Sequence, residues 1–451
     1  SMKKQVLMCA PFNTRSGYGD HARSIFYSIM DREDLEIKCV DVRWGNTPRN
    51  HLNPKVPRHK KLLDTFIDGK NIQQPDIYID IRIPNEYQTP GKLNIGITAG
   101  VEADICSAEF VEGCKKMNLN IVPSNFTKET FMRSVYDRIQ NETNQKSGEV
   151  RLSKPMVVLS EGIDTDIYQP IPDAGRSDDP FKKQIYDLIK ENFVYLHVGQ
   201  WGKGGYGEDR KNIAVMIKCF IQAFANQKNP PALLLKTNGA DFSILDRKDM
   251  INKINQIKEQ FKSLDSLPNI YLLHGDLTVQ QMALLYNLPK VKAMLSCTHG
   301  EGFGRPLAEA TCCDLPVIAS NWSGQLDFLN PKQSVLIGGK LEEIPKALIW
   351  EPIIVKPGKW FNVDEADVLA KLRLFHKNHK KIKSGAKKLG LWNRSKFSLK
   401  TMAKEFNAII DDAVKAIPET PKPMDLKLPK LKKKDSKKPP AIKLPKLKKV
   451  T

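Results

Sequence analysis

No apolar run in this 451-residue chain reaches the length needed to cross a bilayer, and the N-terminus carries no apolar signal region. A membrane-spanning or secreted product is therefore not expected, and a cytoplasmic one is. The eight cysteines (Cys9, Cys39, Cys106, Cys114, Cys219, Cys297, Cys312 and Cys313) form no Cys-x-x-Cys pair. Most lie in apolar stretches, which points to buried thiols in a reducing compartment rather than a disulfide framework. The eight histidines show no metal-ligand spacing either. No metal or other cofactor is expected. Acid is in short supply: 71 Lys and Arg face 51 Asp and Glu, a net charge of +20.

That charge has two sources. Residues 417–451 hold twelve lysines against three acids and repeat Lys-Leu-Pro-Lys-Leu-Lys-Lys at 427–433 and 443–449. Such composition cannot build a core, so a disordered basic tail is expected over 418–451. The remainder of the chain is basic as well, which suggests an anionic partner, nucleic acid ahead of an anionic membrane.

Upstream, the chain reads as two α/β domains. Lys4–Ala10 is an apolar run stopped by Pro11, followed by Ser16-Gly17-Tyr18-Gly19-Asp20 and a helix from His21 to Met30. Strand, glycine loop and helix open a Rossmann-like half. Further strands read at 36–40, 77–79, 93–98 and 119–122, and alternation with helices implies a parallel sheet. The first domain is placed at 1–170 and a Pro/Asp/Gly-rich linker at 171–185. The second runs over 186–395, with strands at 193–198, 232–236, 270–273, 293–297, 316–319 and 334–337. A terminal helix occupies 396–417.

The most informative stretch is Glu301-Gly302-Phe303-Gly304-Arg305-Pro306-Leu307-Ala308-Glu309. A strand end precedes it, and a helix with proline in its first turn follows. Gly302 and Gly304 let backbone approach a ligand, and amides at a helix start hold anions. Two carboxylates eight positions apart would then line one cleft.

With that spacing, and Gly-Phe-Gly after the first acid, the chain resembles the retaining GT-B glycosyltransferases of the Glu-x7-Glu group, over roughly residues 4–417. The resemblance implies two Rossmann-like domains facing across a cleft, a terminal helix crossing back to the first, and a nucleoside-diphosphate sugar as donor. Glu301, Glu309 and Lys211 are the catalytic residues it implies. Glu301 would position the sugar, Glu309 the ribose, and Lys211 the diphosphate. The donor site would also include Gly17, Gly19, Arg210, Lys236, Gly302, Phe303 and Gly304. Relatives carry an arginine where this chain has Gln200, so Arg210 or Lys203 would supply the missing charge. His299, Glu102 and Asp104 are candidate sugar or acceptor contacts. Glu161-Gly162-Ile163-Asp164 stands where relatives have Asn-Gly-Val-Asp, closing the first domain. Asp164-Thr165-Asp166 spells a metal motif but falls in a turn, where a structural role is expected.

The function expected is therefore a hexosyl or pentosyl transfer, most simply from a UDP-sugar. Among acceptors, a hydroxymethylated base in DNA leads, as in phage-type DNA-modifying members, which would place the protein in a host cytoplasm. A lipid, soluble glycan or protein acceptor is the alternative. A nucleotide-sugar epimerase or a phosphorylase on the same fold is the alternative class.

Overall fold

The computed structural model of the protein describes residues 2–418; the lysine–proline repeats lie outside the described residues. Residues 2–417 belong to one compact unit.

Strand β1 (Lys4–Ala10) is buried from Val6 onward and leads through a short loop into α1 (Gly17–Ile29). The helix begins earlier than its sequence suggests. Ser16 caps it by accepting from the Gly19 amide, so the expected glycine loop is the helix's first turn. The chain continues through β2 (Leu35–Asp41), α2 (Pro57–Leu63), β3 (Ile77–Ile81), β4 (Leu93–Ile97), α3 (Ala108–Lys115), β5 (Leu119–Val122) and α4 (Asn125–Arg133). A hairpin of β6 (Tyr136–Ile139) and β7 (Lys146–Val150), not anticipated from sequence, precedes β8 (Met156–Val158). The first sheet is parallel, in the order β2-β1-β3-β4-β5-β8.

Helix α5 (Pro180–Leu188) occupies the end of the stretch read as linker, and its Phe181 and Ile185 are buried in the second core. The linker is thus shorter than 171–185, because those two apolar side chains have a surface to cover. Then follow β9 (Val194–Val198), α6 (Ile213–Phe224), β10 (Ala232–Lys236), α7 (Ile244–Glu259), β11 (Ile270–Leu273), α8 (Val279–Asn287), β12 (Val291–Ser296), α9 (Arg305–Cys312), β13 (Val317–Ser320) and β14 (Val335–Ile337). The second sheet is parallel throughout, ordered β11-β10-β9-β12-β13-β14. All eight cysteines are buried and unpaired.

Of three later elements, the first and the last tie the halves together. An antiparallel hairpin, β15 (Gly339–Glu343) and β16 (Lys359–Val363), packs Ile344 and Trp360 against Ala103 of the first half. The 32-residue α10 (Glu365–Lys396) lies on the second half and bends at Asn378. Helix α11 (Leu399–Ala416) buries Met402, Phe406 and Ile410 in the core formed by β1, α1 and β3. The outgoing and returning crossings run side by side: Ile163 donates to Phe397 O at 2.8 Å and accepts from Leu399 N at 2.8 Å.

Candidate active site

Strand order locates a crevice before any side chain is considered. The winding of the second sheet reverses between β9 and β12, and ligands in open parallel sheets bind beyond the carboxyl ends of strands at such a point. The loop after β9 carries Arg210 and Lys211; the loop after β12 carries Thr298, His299 and Glu301. The two are zipped by backbone, with His299 N donating to Arg210 O at 2.9 Å.

Glu301 sits at the centre, only 6% exposed. Its carboxylate accepts from Lys211 Nζ at 2.6 Å, Arg210 NH1 at 2.8 Å and Thr298 Oγ1 at 3.0 Å. Burial alone would raise this carboxyl, but the two cations outweigh it and hold it down at about 2. Arg210 is drawn down by burial and up by Glu301 and Glu102, with a net rise. Lys211 moves the other way: burial and Arg210 draw its ammonium below the usual range against the pull of Glu301. The short contact to a carboxylate held ionised keeps the pair charged. The result is one anion bridged to two cations at a strand switch point. A diphosphate arriving there can take over both cations.

The first half closes over this cluster with backbone. A Cβ on Gly300 would meet Glu102 O at 2.3 Å, and one on Gly302 would meet Ala99 O at 2.2 Å. Only glycine allows that approach. Glu102 Oε1 stands 4.0 Å from Arg210 Nε, adding a second acid to the cluster.

A second polar group lies around the start of α9. Arg305 NH1 donates to Gly162 O at 3.3 Å, and its Nε is 3.7 Å from Glu161 Oε2. Burial raises the Glu309 carboxyl to about 7, against Arg305 and the Tyr168 hydroxyl, which lower it. His21, buried on α1, is held down at about 3 by burial and by Arg305.

No family model matches the chain, and no curated protein matches it in sequence. Solved structures do match in shape. Sucrose-phosphate synthase from Thermosynechococcus elongatus superposes with a TM-score of 0.60 at 12% identity, over 92% of this chain and 100% of that one. A glycosyltransferase from Rickettsia africae gives 0.58 at 14%, covering 92% and 99%. HepE of Anabaena, in complex with UDP-glucose, gives 0.55 at 13%, covering 91% and 100%. The fold is GT-B.

Within this GT-B frame, the residues singled out from sequence divide into three groups. Glu301, Lys211, Arg210 and Glu102 come together at the switch point. Lys203 is exposed and makes no ion pair among the described residues, and Gln200 donates to Gly239 O at 2.7 Å, so Arg210 is the second cation on Glu301. Glu309 lies on α9, near the Tyr168 hydroxyl and Arg305. Lys236 ends β10 beside Phe242 and is drawn down by burial, with Asp276 opposing.

The third group turns to structural duty. His299 faces Phe361 O and Gly207 O with its two ring nitrogens, at 2.8 and 2.7 Å, and stacks on Trp360 at 4.0 Å. No ring nitrogen is left for a sugar, which corrects the expected contact. Asp104 is likewise engaged: its carboxylate accepts from Lys359 N at 2.7 Å, tying β16 to the first half. Phe303 is a core residue packed on Phe328 and Phe397. Gly302 meets the first half's backbone, and Gly304 starts α9 with φ of +93°. Gly19 is packed on Thr14, whereas Gly17 faces open space. Asp164 folds back to accept from the Asp166 amide at 3.1 Å.

Sequence reasoning overlooked Arg305, the β15–β16 hairpin and two exchanges between the halves. Asp327 accepts from Asn125 N at 3.0 Å, and Arg15 pairs with Asp276 at 2.7 Å. Glu161 could be singled out in the sequence; its Arg305 partner, 144 positions on, could not.

Proposed function

We propose that the protein is a retaining glycosyltransferase that moves a sugar from a nucleoside-diphosphate donor, a UDP-sugar first, to an acceptor hydroxyl. The observation carrying this reading is the Glu301 carboxylate bridging Lys211 and Arg210 at the switch point. It is supported by the GT-B neighbours: HepE is described with UDP and glucose, and a Burkholderia vietnamiensis neighbour is a UDP-forming trehalose-phosphate synthase.

In this reading the donor diphosphate draws Lys211 and Arg210 away from Glu301, and their charge offsets that developing on the leaving group. Glu301 turns to the sugar, orienting its hydroxyls and stabilising positive charge on the ring. The acceptor oxygen bonds to the anomeric carbon from the face the diphosphate leaves. The anomeric carbon–oxygen bond breaks, and a diphosphate oxygen takes the acceptor proton. Configuration is retained, and no protein nucleophile or metal takes part. Glu309 holds the ribose hydroxyls.

A hydroxymethylated base in DNA is the proposed acceptor, since the basic excess extends beyond the tail. Glu301→Ala tests the donor half of the reading. Transfer should fall below detection while UDP still shifts the melting temperature. Unchanged turnover refutes the assignment. The acceptor is tested by presenting labelled UDP-sugars with hydroxymethylated DNA, unmodified DNA and lipid. Label on lipid alone would overturn the DNA reading.

A further inference from the structure

Away from the cleft, positive charge concentrates on α10. Between Lys371 and Lys396 the helix carries ten lysines and arginines and no acid. Some have partners: Lys371 pairs with Asp367, Arg394 with Asp314, and Lys383 Nζ donates to Asp314 O at 2.6 Å. Lys377, Lys380, Lys381, Lys387 and Lys388 make no ion pair among the described residues.

The surface around these lysines is hollowed. A recess of about 720 Å³ is lined by Lys292, His379, Lys380, Lys383 and Lys387 against Pro170–Pro172 and the end of α8. On the helix's other flank, Lys332, Lys371 and Lys381 line a second recess of about 690 Å³. Asp314 borders the first, but its carboxylate is held by Arg394; the second has no acid among its described lining residues. Burial, and Lys380 beside it, draw the Lys292 ammonium below its usual range, as uncompensated like charges do.

We propose that this lysine ridge and its flanking hollows dock the phosphodiester backbone of a nucleic acid. Lys380, Lys383 and Lys387 share one helix face and span about 10 Å at 1.5 Å per residue. One strand of a duplex presents about three phosphates over that distance. Concavity separates this partner from an anionic membrane: a flat bilayer cannot follow lysines into two hollows, whereas a phosphodiester strand can. The choice of partner rests on the DNA reading of the acceptor; the surface itself lies at the far end of α9 from Glu301 and takes no part in transfer.

Binding of the full-length chain to an unmodified duplex, which offers no acceptor hydroxyl, isolates this surface from catalysis. Fluorescence anisotropy across a salt series, without donor, supplies the readout. The K292A/K380A/K387A variant should bind at least about tenfold more weakly near 0.1 M salt. Its log–log salt slope should drop by about 2 to 3, near 0.9 for each phosphate no longer neutralised. K228A/K248A/K262A, which removes the same charge from exposed positions elsewhere, should leave both within about twofold. An unchanged slope in the α10 variant, or equal losses in the two variants, overturns the proposal. So does loss of sedimentation with anionic phosphatidylserine vesicles while duplex binding stays intact. Donor turnover measured in parallel separates failure of the transferase reading from failure of this one.

Discussion

The two sheets share a parallel α/β plan yet meet the crevice with different parts of the chain. The second half brings charged side chains, Arg210, Lys211 and Glu301, on loops leaving the two strands where its winding reverses. The first half brings mostly main chain: the carbonyls of Ala99 and Glu102, pressed against glycines that have no room for a methyl group. Most of the side-chain charge comes from one half, and the other adds Glu102 and otherwise shape. In this fold a charged site is made by one wall and completed by the closeness of the opposite wall.

The largest blow to that division is Lys211→Ala. It removes a cation from the charged wall and leaves Arg210 alone on Glu301. A loss of about 10²- to 10³-fold in kcat/KM for the donor is expected, the size seen when a preorganised electrostatic contact is deleted. Nucleotide-release kinetics measure it, and a loss under threefold would mean the cation is structural.

Gly302→Ala strikes the other wall. Its new methyl group would sit 2.2 Å from Ala99 O, an unyielding backbone atom, so the halves must part. Turnover should fall at least tenfold while circular dichroism stays native. Gly17→Ala, with nothing within 4 Å, should change turnover less than twofold. Equal effects from the two alanines would erase the contrast between a packed and an open glycine.

The two acids should also answer pH in opposite senses. Glu301, held down at about 2, stabilises the fold above the ordinary glutamate value of 4.5, and this support is lost as pH falls from there towards 2. Glu309, raised to about 7, favours the protonated folded state. Its contribution is fully present below 4.5 and is lost as pH rises through 7, on the order of 1–3 kcal/mol in all. Glu309→Gln should flatten that descent in denaturant titrations run from pH 4.5 to 8. In donor binding, the wild type should tighten above pH 7, where a carboxylate can accept from both ribose hydroxyls, and the glutamine variant should show no inflection. A wild-type profile without an inflection removes Glu309 from the ribose.

Smallest of all is Arg15→Ala. The Arg15–Asp276 pair joins the walls, but both side chains are more than half exposed. Such pairs are worth about 0–1 kcal/mol. Donor KM should move less than threefold, with the shift vanishing in high salt.

Much of this was legible in the chain itself. The strand runs 119–122, 232–236 and 270–273 coincide with β5, β10 and the half-buried edge strand β11, because strands of a covered parallel sheet are short apolar blocks with turn residues at each end. Glu301 and Lys211 could be singled out as candidates because their neighbours mark strand ends and helix starts, and the fold brings the two together. What escaped was long-range. His299 follows a strand much as a ligand residue would, and only the fold reveals that Phe361 and Gly207 occupy both its nitrogens. The β15–β16 hairpin escaped because its exposed Gly339–Glu343 strand is largely polar, and its reason for existing, Ala103, lies more than 230 residues earlier.

The side-by-side crossings at Ile163 and Ser398 bear on how the molecule is made. Helix α11 completes the core begun by β1, yet a ribosome delivers it only after the whole second half has emerged. The early segment must wait with the apolar seat for Met402, Phe406 and Ile410 uncovered, while the later segment can mature from one continuous stretch. Newly synthesised chains truncated before residue 399 should therefore engage chaperones through their N-terminal part, even when the second half has already become protease-resistant.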